Sequence, residues 1–205
     1  PLLAMAAAAS AVTIAAQRVA MVTLKHTDLG ERIANALLSY GRYVWMMFWP
    51  AGLAAYYPPQ DKPPHLQAAL MLVLLAAATI AAFKFGHRHK YLLTGWLWYI
   101  ITLVPVIGIV QVGLQTHADR YTYVPLIGLF IIIAWAVGDK LAEKPQYHKP
   151  AAVLAALILL VCSVLTWRAV GFWKDDMTLT SRAIAVTRNN YLMLANRAID
   201  LLGVG

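Results

Sequence analysis

The 205-residue chain is 61% hydrophobic and only 13% charged, and its 17 Lys and Arg residues against 9 Asp and Glu give a formal net charge of +8. Typical soluble domains are about a quarter charged and less than half apolar. The composition therefore excludes a disordered tail, a disulfide-stapled secreted module and a conventional cytosolic enzyme. The single cysteine, Cys162, lies in an apolar run and indicates neither a disulfide framework nor a metal site. We expect an all-α fold, a polytopic bundle of transmembrane helices.

Both ends of the sequence fall within apolar or helical patterns. The chain begins at Pro1 directly before an apolar run and stops at Gly205 inside a helical pattern. A signal peptide has a charged segment before its apolar run and a small-residue cleavage site, and neither is clear here. We therefore expect this chain to be a fragment of a longer protein.

Five segments approach the roughly 20 apolar residues that a helix needs to cross the ~30 Å hydrocarbon core of a bilayer. The predicted spans are residues 2–16, 66–83, 91–114, 122–138 and 151–170. Pro105 lies inside the third span and predicts a kink or a loosened turn there. Trp96 and Trp98, near the beginning of the same span, are typical of an aromatic belt at the membrane interface.

Residues 17–65 are predicted to form an external segment between the first two spans. Ile33 and Leu37 recur at helical spacing, and an aromatic-rich stretch interrupted by Pro50 follows them. This pattern favours an amphipathic or re-entrant helix at the membrane surface. A sixth span is the alternative.

The basic loops predict the orientation of the spans. Short loops rich in Lys and Arg stay in the cytoplasm, and residues 84–90 and 140–149 form two such loops. The turn between the third and fourth spans and the chain after Arg168 then face the opposite side. The basic residues within 17–65 oppose this arrangement and favour six spans.

The external turn between the third and fourth spans is the most polar helix junction in the chain. Ionisable groups at membrane depth are costly, which makes them functional candidates. We expect Arg120 to clamp a phosphate through charge-assisted hydrogen bonds, Asp119 to orient Arg120 or a hydroxyl, and His117, Tyr121 and Tyr123 to shape the pocket. The alternative is a structural Asp–Arg pair flanked by tyrosines that anchor the chain at the interface.

Other polar residues carry weaker signals. Gln17 and Arg42 could each reach an anionic headgroup, or they could be snorkelling or solvated side chains. Asp175 and Asp176 follow the last span and are expected to cap the next helix rather than bind an ion. No metal site, catalytic triad, phosphate-binding loop or nucleic-acid-binding stripe is predicted.

Residues 191–203 carry Leu, Ala and Gly at the offsets of the first helix of a tetratricopeptide repeat. We therefore expect two parts, residues 1–170, which form the membrane module and include the external segment 17–65, and residues 171–205, an external linker helix followed by the first part of a repeat.

Several motifs occur in a defined order along the chain, at residues 16–17, 32–40, 49–50, 56–58, 104–113, 118–125 and 173–179. The most specific is Ala-Asp-Arg-Tyr-x-Tyr-x-Pro, which begins at Ala118. Together these motifs resemble the membrane half of bacterial tetratricopeptide-repeat proteins similar to the transmembrane-and-tetratricopeptide O-mannosyltransferases, which belong to the GT-C glycosyltransferases. The resemblance covers nearly the whole chain.

This resemblance implies the C-terminal part of a GT-C-like membrane module that uses a polyprenyl-phosphate-linked sugar as donor. It implies a bacterial inner-membrane location with a periplasmic C-terminal region, and an odd number of spans, in agreement with five here. The acidic catalytic residue of the class lies in the first external loop, outside this fragment, so no catalytic residue is assigned. Arg120 with Asp119, and Arg42, would lie near the donor phosphate, where a cation stabilises the developing charge. A divalent cation is left open as a cofactor.

The expected partners are the lipid bilayer, the lipid-linked sugar and proteins that bind the repeats, but no nucleic acid. Two functions stay open. The first is sugar transfer to a protein or glycan acceptor on the periplasmic face, and the alternative is a non-catalytic membrane anchor that presents a repeat scaffold. A transporter ranks last, because Pro105 alone hints at the broken helices that such proteins use.

Overall fold

The computed structural model describes residues 28–58, 63–108 and 117–203, and within these ranges the chain is all-helical, with no β-strand. The predicted all-α class is therefore confirmed for the described residues. The α-helices are α1 Leu29–Phe48, α2 His65–Gly86, α3 Lys90–Leu103, α4 Pro125–Glu143, α5 His148–Gly171, α6 Asp176–Val186 and α7 Tyr191–Leu202, and two short 3₁₀ helices cover Asp119–Thr122 and Pro145–Tyr147.

Three of the described helices are long and apolar enough to cross a membrane. They are α2, α4 and α5 together with the 3₁₀ turn before it (Pro145–Gly171). These helices contain the second, fourth and fifth predicted spans, apart from the first residues of the fourth, which form the end of the 3₁₀ turn and the link to α4. The first predicted span, residues 2–16, lies outside the described residues.

The third predicted span differs from the structure, because α3 ends at Leu103 instead of continuing toward residue 114. Pro105 has no N–H to give to the carbonyl of Ile101, and its ring crowds that carbonyl. The chain turns tightly instead, with Val104 N–H donating to Ile101 O at 3.3 Å and Gly108 at a φ of +93°. The 14 residues of α3 cover about 21 Å, which is shorter than the ~30 Å core of a bilayer.

The helix predicted in the external segment is α1, whose end just before Trp49-Pro50 follows from the restriction that proline places on the residue before it. Its buried face differs from the one suggested by the aliphatic spacing. Ala36, Tyr40 and Tyr43 are buried, whereas Ile33 is 47% exposed. Whether α1 lies on a membrane stays a prediction.

Two tyrosines join α1 to α3 in the main core. Tyr40 Oη donates to the Ile100 carbonyl at 3.0 Å, and Tyr99 Oη donates to the Tyr40 carbonyl at 2.6 Å. Their rings meet edge to face, with centroids 5.9 Å apart. The reciprocal bonds satisfy the hydroxyl groups of both tyrosines within an apolar core.

The α3–α4 contact depends on two glycines. A Cβ added to Gly95 would overlap the carbonyl oxygen of Gly128, and a Cβ added to Gly128 would overlap that of Gly95. Small residues permit this close backbone approach between membrane helices. The crossing brings the beginning of α3 beside the end of α4.

The two C-terminal helices form a separate small core. Ala183 of α6 is fully buried and Met193 of α7 is 8% exposed, and both pack against the segment of residues 49–58 that follows α1. Asp175 is the N-cap of α6 and accepts from Thr178 N–H at 2.7 Å, which confirms the capping prediction. The assignment of α7 to a tetratricopeptide repeat stays a prediction.

Candidate functional site

A polar cluster forms where the turn before α4 meets α1 and the 49–58 segment. Its members are Arg42, Tyr43, Tyr57, His117 and Asp119. Thr122 Oγ1 donates to the Asp119 carbonyl at 2.6 Å, which holds the 3₁₀ turn, and Ala118 N–H donates to Tyr43 Oη at 3.3 Å. The turn is thus bonded both to itself and to α1.

The imidazole of His117 lies between a cation and an aromatic ring. Arg42 Nη1 is 2.9 Å from His117 Nδ1, and the Tyr57 ring stacks on the imidazole with centroids 4.0 Å apart. Because guanidinium only donates, Nδ1 must accept, and a neutral His117 therefore carries its proton on Nε2. Burial, and then the charge of Arg42, lower the pKa of His117 to about 3.

Burial also disfavours the charged forms of Arg42, Tyr43 and Tyr57. It lowers the pKa of the Arg42 guanidinium and raises that of the Tyr43 hydroxyl to about 12. It also raises the pKa of Tyr57. In each case the charged form is disfavoured in a poorly hydrated environment.

Asp119 is held on one oxygen only. Its Oδ2 accepts from Ala54 N–H at 3.1 Å and from Tyr57 Oη at 3.2 Å, whereas the buried Oδ1 has no hydrogen-bond partner among the described residues. Burial raises the pKa of Asp119 to about 6, although the bonds from Tyr57 and Ala54 and the charge of Arg120 oppose that rise. An unsatisfied buried carboxyl oxygen is costly, and it offers an acceptor position to a ligand.

The predicted site residues divide into two groups. His117, Asp119 and Arg42 come together, although the sequence places Arg42 75 residues before His117. Arg120 is exposed, with its guanidinium 5.2 Å from the ring centroid of Tyr121, on which it stacks.

Of the remaining predicted positions, Tyr121 packs against the main core, which includes Tyr43 of the polar cluster. Tyr123 is 78% exposed, and Gln17 falls in the N-terminal part that the structure does not describe. Within the described ranges no ion pair joins Asp119 to Arg120. The structural Asp–Arg pair considered from the sequence is therefore absent there, and the phosphate-binding role of Arg120 stays a prediction.

Tyr43 and Tyr57 are functional candidates that the sequence analysis missed. Both belong to the aromatic-rich stretch assigned to the membrane interface, where tyrosines are common. Tyr57 lies 62 residues before Asp119, so no local spacing connects the two. The Tyr-Tyr-Pro motif at residues 56–58 was the available signal.

The cluster combines a group of hydrogen-bond donors with an acceptor oxygen that has no partner among the described residues. Arg42 offers a fork of five N–H donors, one of which points to His117, and Asp119 offers a free acceptor oxygen. In the described ranges no three His, Cys, Asp or Glu residues are grouped closely enough to hold a metal ion. A guanidinium is suited to binding a phosphate, and a carboxyl oxygen to accepting a hydrogen bond from a hydroxyl group.

Comparison with known proteins gives one relative at low identity. No family model matches the chain, and no solved structure matches it. A protein O-mannosyl-transferase from Caenorhabditis elegans is 28% identical over 122 residues, which are 60% of this chain and 17% of that protein. The chain thus spans less than a fifth of the length of this relative. Together with the membrane-type helices, the match supports a distant glycosyltransferase-like relationship for this membrane protein.

Proposed function

We propose that this chain is the C-terminal part of the membrane module of a glycosyltransferase. The enzyme transfers a sugar from a polyprenyl-phosphate donor to a protein or glycan acceptor. The polar cluster faces the periplasm of a bacterial cell, and the region after α5 continues there into tetratricopeptide repeats that bind protein partners. The similarity to the O-mannosyl-transferase supports the reaction class.

The arrangement of Arg42, His117 and Asp119 is the observation that carries the proposal. A half-buried guanidinium lies beside a neutral imidazole, and a carboxyl group with one free oxygen occupies the same turn. Arg42 binds the donor phosphate, while Asp119 Oδ1 accepts a hydrogen bond from the hydroxyl group of a substrate. The exposed Arg120, two residues from the end of that turn, supplies a second cation to the phosphate.

The reaction is a displacement at the anomeric carbon of the sugar. The acceptor oxygen forms the new bond to that carbon, and the bond from the carbon to the phosphate oxygen breaks. The lipid phosphate leaves with the electron pair, and the proton of the acceptor passes to a base. Arg42 and Arg120 stabilise the negative charge that develops on the leaving phosphate. We expect the base to be an acidic residue outside this chain.

The test is sugar transfer by the full-length protein in lipid nanodiscs, with a polyprenyl-phosphate sugar as donor. Arg42→Ala is expected to lower kcat/KM about 100-fold or more, because it removes a donor to the developing charge. Arg42→Lys keeps the charge but loses the planar fork, and we expect an intermediate loss. Arg88→Ala, an exposed arginine at the opposite end of the bundle, is the matched control.

Equal rates for Arg42→Ala and wild type would contradict the role given to Arg42. If the full-length wild type transfers no sugar from any polyprenyl-phosphate donor, the non-catalytic membrane anchor replaces the proposed function.

A further inference from the structure

The 49–58 segment contacts both the polar cluster and the C-terminal helices. Ala54 is where the two meet, because its N–H donates to Asp119 Oδ2 at 3.1 Å and its side chain packs with Ala183 and Met193. Burial, and a hydrogen bond with Tyr191 of α7, raise the pKa of the Tyr56 hydroxyl to about 12. Asp119 is thus connected to the α6–α7 hairpin through a few residues of backbone.

Asn190 is the buried polar residue at the centre of that connection. It is 2% exposed, and its Nδ2 donates to the Tyr56 carbonyl at 3.2 Å and to Thr187 Oγ1 at 2.8 Å. Its Oδ1 accepts from Met193 N–H at 3.2 Å and so caps α7. A helix cap requires only this acceptor. The side-chain amide has a second effect, because its hydrogen bond to the Tyr56 carbonyl fixes the backbone two residues after Ala54.

We propose that Asn190 is a positioning residue for Asp119. Through the Tyr56 carbonyl, Asn190 holds the 49–58 segment so that the Tyr57 hydroxyl donates to Asp119 Oδ2 and the Ala54 N–H is shared between Tyr57 Oη, at 2.9 Å, and the same Oδ2. With Oδ2 occupied, Oδ1 is the oxygen left to accept a substrate hydroxyl. The site is therefore completed by a hairpin that follows the last apolar helix, and not by the membrane helices alone.

The physical connection is testable without any enzymatic activity, by hydrogen–deuterium exchange of the full-length protein in nanodiscs. Asn190→Asp keeps the acceptor that caps α7 but removes the amide donor, and Asn190→Ser does the same without adding charge. Both are expected to speed exchange of the amides of Ala54 and residues 118–122 about tenfold, as expected for the loss of one buried hydrogen bond. Asn196→Asp, at an exposed position on the same helix, is the matched control.

The kinetic consequence rests on the proposed function. Because Asp119 would hold the acceptor hydroxyl and Arg42 the donor phosphate, Asn190→Ser is expected to lower kcat/KM for the acceptor about tenfold and to leave KM for the lipid donor unchanged. A merely structural role would change both substrates alike.

Three outcomes decide the inference. Faster exchange of residues 118–122 in both Asn190 variants supports it, whether or not the hairpin itself also loosens. Unchanged exchange of residues 118–122, with faster exchange confined to α7, would show that Asn190 is only a helix cap. If the wild type transfers no sugar but the Asn190 variants show faster exchange than the wild type, the proposed function is overturned and the positioning role stays intact.

Discussion

The two ends of the α3–α4 pair each contain a histidine, an aspartate and a tyrosine in contact, but in opposite environments. At one end, Asp139 Oδ2 lies 3.2 Å from His89 Nδ1 and accepts from Tyr91 Oη at 2.9 Å. These side chains form the exposed trio, in which the His89 and Asp139 side chains are 38% and 46% exposed. Water reaches both side chains there, so their contact contributes little to stability.

At the other end, the polar cluster separates its histidine from its aspartate. His117 contacts the guanidinium of Arg42, while Asp119 is bonded to the neutral Ala54 N–H and Tyr57 hydroxyl. Burial moves the pKa of His117 down and that of Asp119 up, so both are pushed toward their neutral forms. The same residue types thus form a solvated contact at one end of the pair and a buried polar cluster, the candidate site, at the other, and the difference between them is desolvation.

The largest expected effect concerns the side of the membrane on which each end lies. In a full-length background from which cysteines are removed, Cys162 among them, Arg88→Cys and Tyr123→Cys place single thiols at the two ends. Both positions are exposed, so a membrane-impermeant maleimide added to intact cells should label Tyr123→Cys and leave Arg88→Cys unlabelled until the cells are opened. Equal labelling of both in intact cells would contradict the predicted orientation.

The second prediction concerns the crossing that joins the two ends. Gly128→Ala is expected to lower the free energy of unfolding by about 1–3 kcal/mol, because the added Cβ meets the carbonyl of Gly95 and must push α3 and α4 apart. Gly138→Ala, on the same helix with open space around it, should instead stabilise by about 0.5–1 kcal/mol through helix propensity. Denaturant unfolding in detergent measures the free energy of unfolding of both variants. Equal effects of the two substitutions would contradict the close packing of α3 and α4 at Gly128.

The smallest effect is the pH dependence of stability. His117 has a lowered pKa, so its stabilising contribution is complete above about pH 6.5 and is lost as the pH falls toward about 3. Asp119 has a raised pKa, so its contribution is complete below about pH 3.8 and is lost as the pH rises through about 6. The two dependences oppose each other between about pH 4 and pH 6.

Replacing either His117 or Asp119 should therefore reveal the pH dependence that the other residue contributes. Asp119→Asn is expected to lose stability more steeply than wild type as the pH falls from 6 to 4, and His117→Gln is expected to gain stability over the same range. Thermal unfolding midpoints measured across this range test both signs. His89→Gln in the exposed trio leaves both buried groups in place and serves as control. Identical profiles for Asp119→Asn and His117→Gln would contradict the opposing shifts.

How much the sequence could predict depended on the distance over which the deciding contacts act. The α2, α4 and α5 helices were predictable because uninterrupted apolar runs identify them locally, and the Asp175 cap because its partner, Thr178, is three residues away. The end of α3 was not, because the tolerance of membrane helices for proline made a kink as reasonable as a stop.

In the candidate site too, residues close together in the sequence were predictable and distant contacts were not. His117 and Asp119 stood out because both belong to one polar turn. Arg42 and Tyr57 form hydrogen bonds with them because α1 and the 49–58 segment fold back over more than 60 residues. No periodicity encodes such a contact.

Under the proposed function, the short length of α3 has a consequence for how a lipid-linked donor would arrive. If Lys90 lies at one edge of a hydrocarbon core ~30 Å thick, the chain leaves the helix at Leu103 after about 21 Å, about 9 Å before the far edge. We expect the turn that follows to line a recess sunk below the outer headgroups. A long isoprenoid tail could then stay dissolved among the acyl chains while its headgroup slid sideways into the recess, without passing through water.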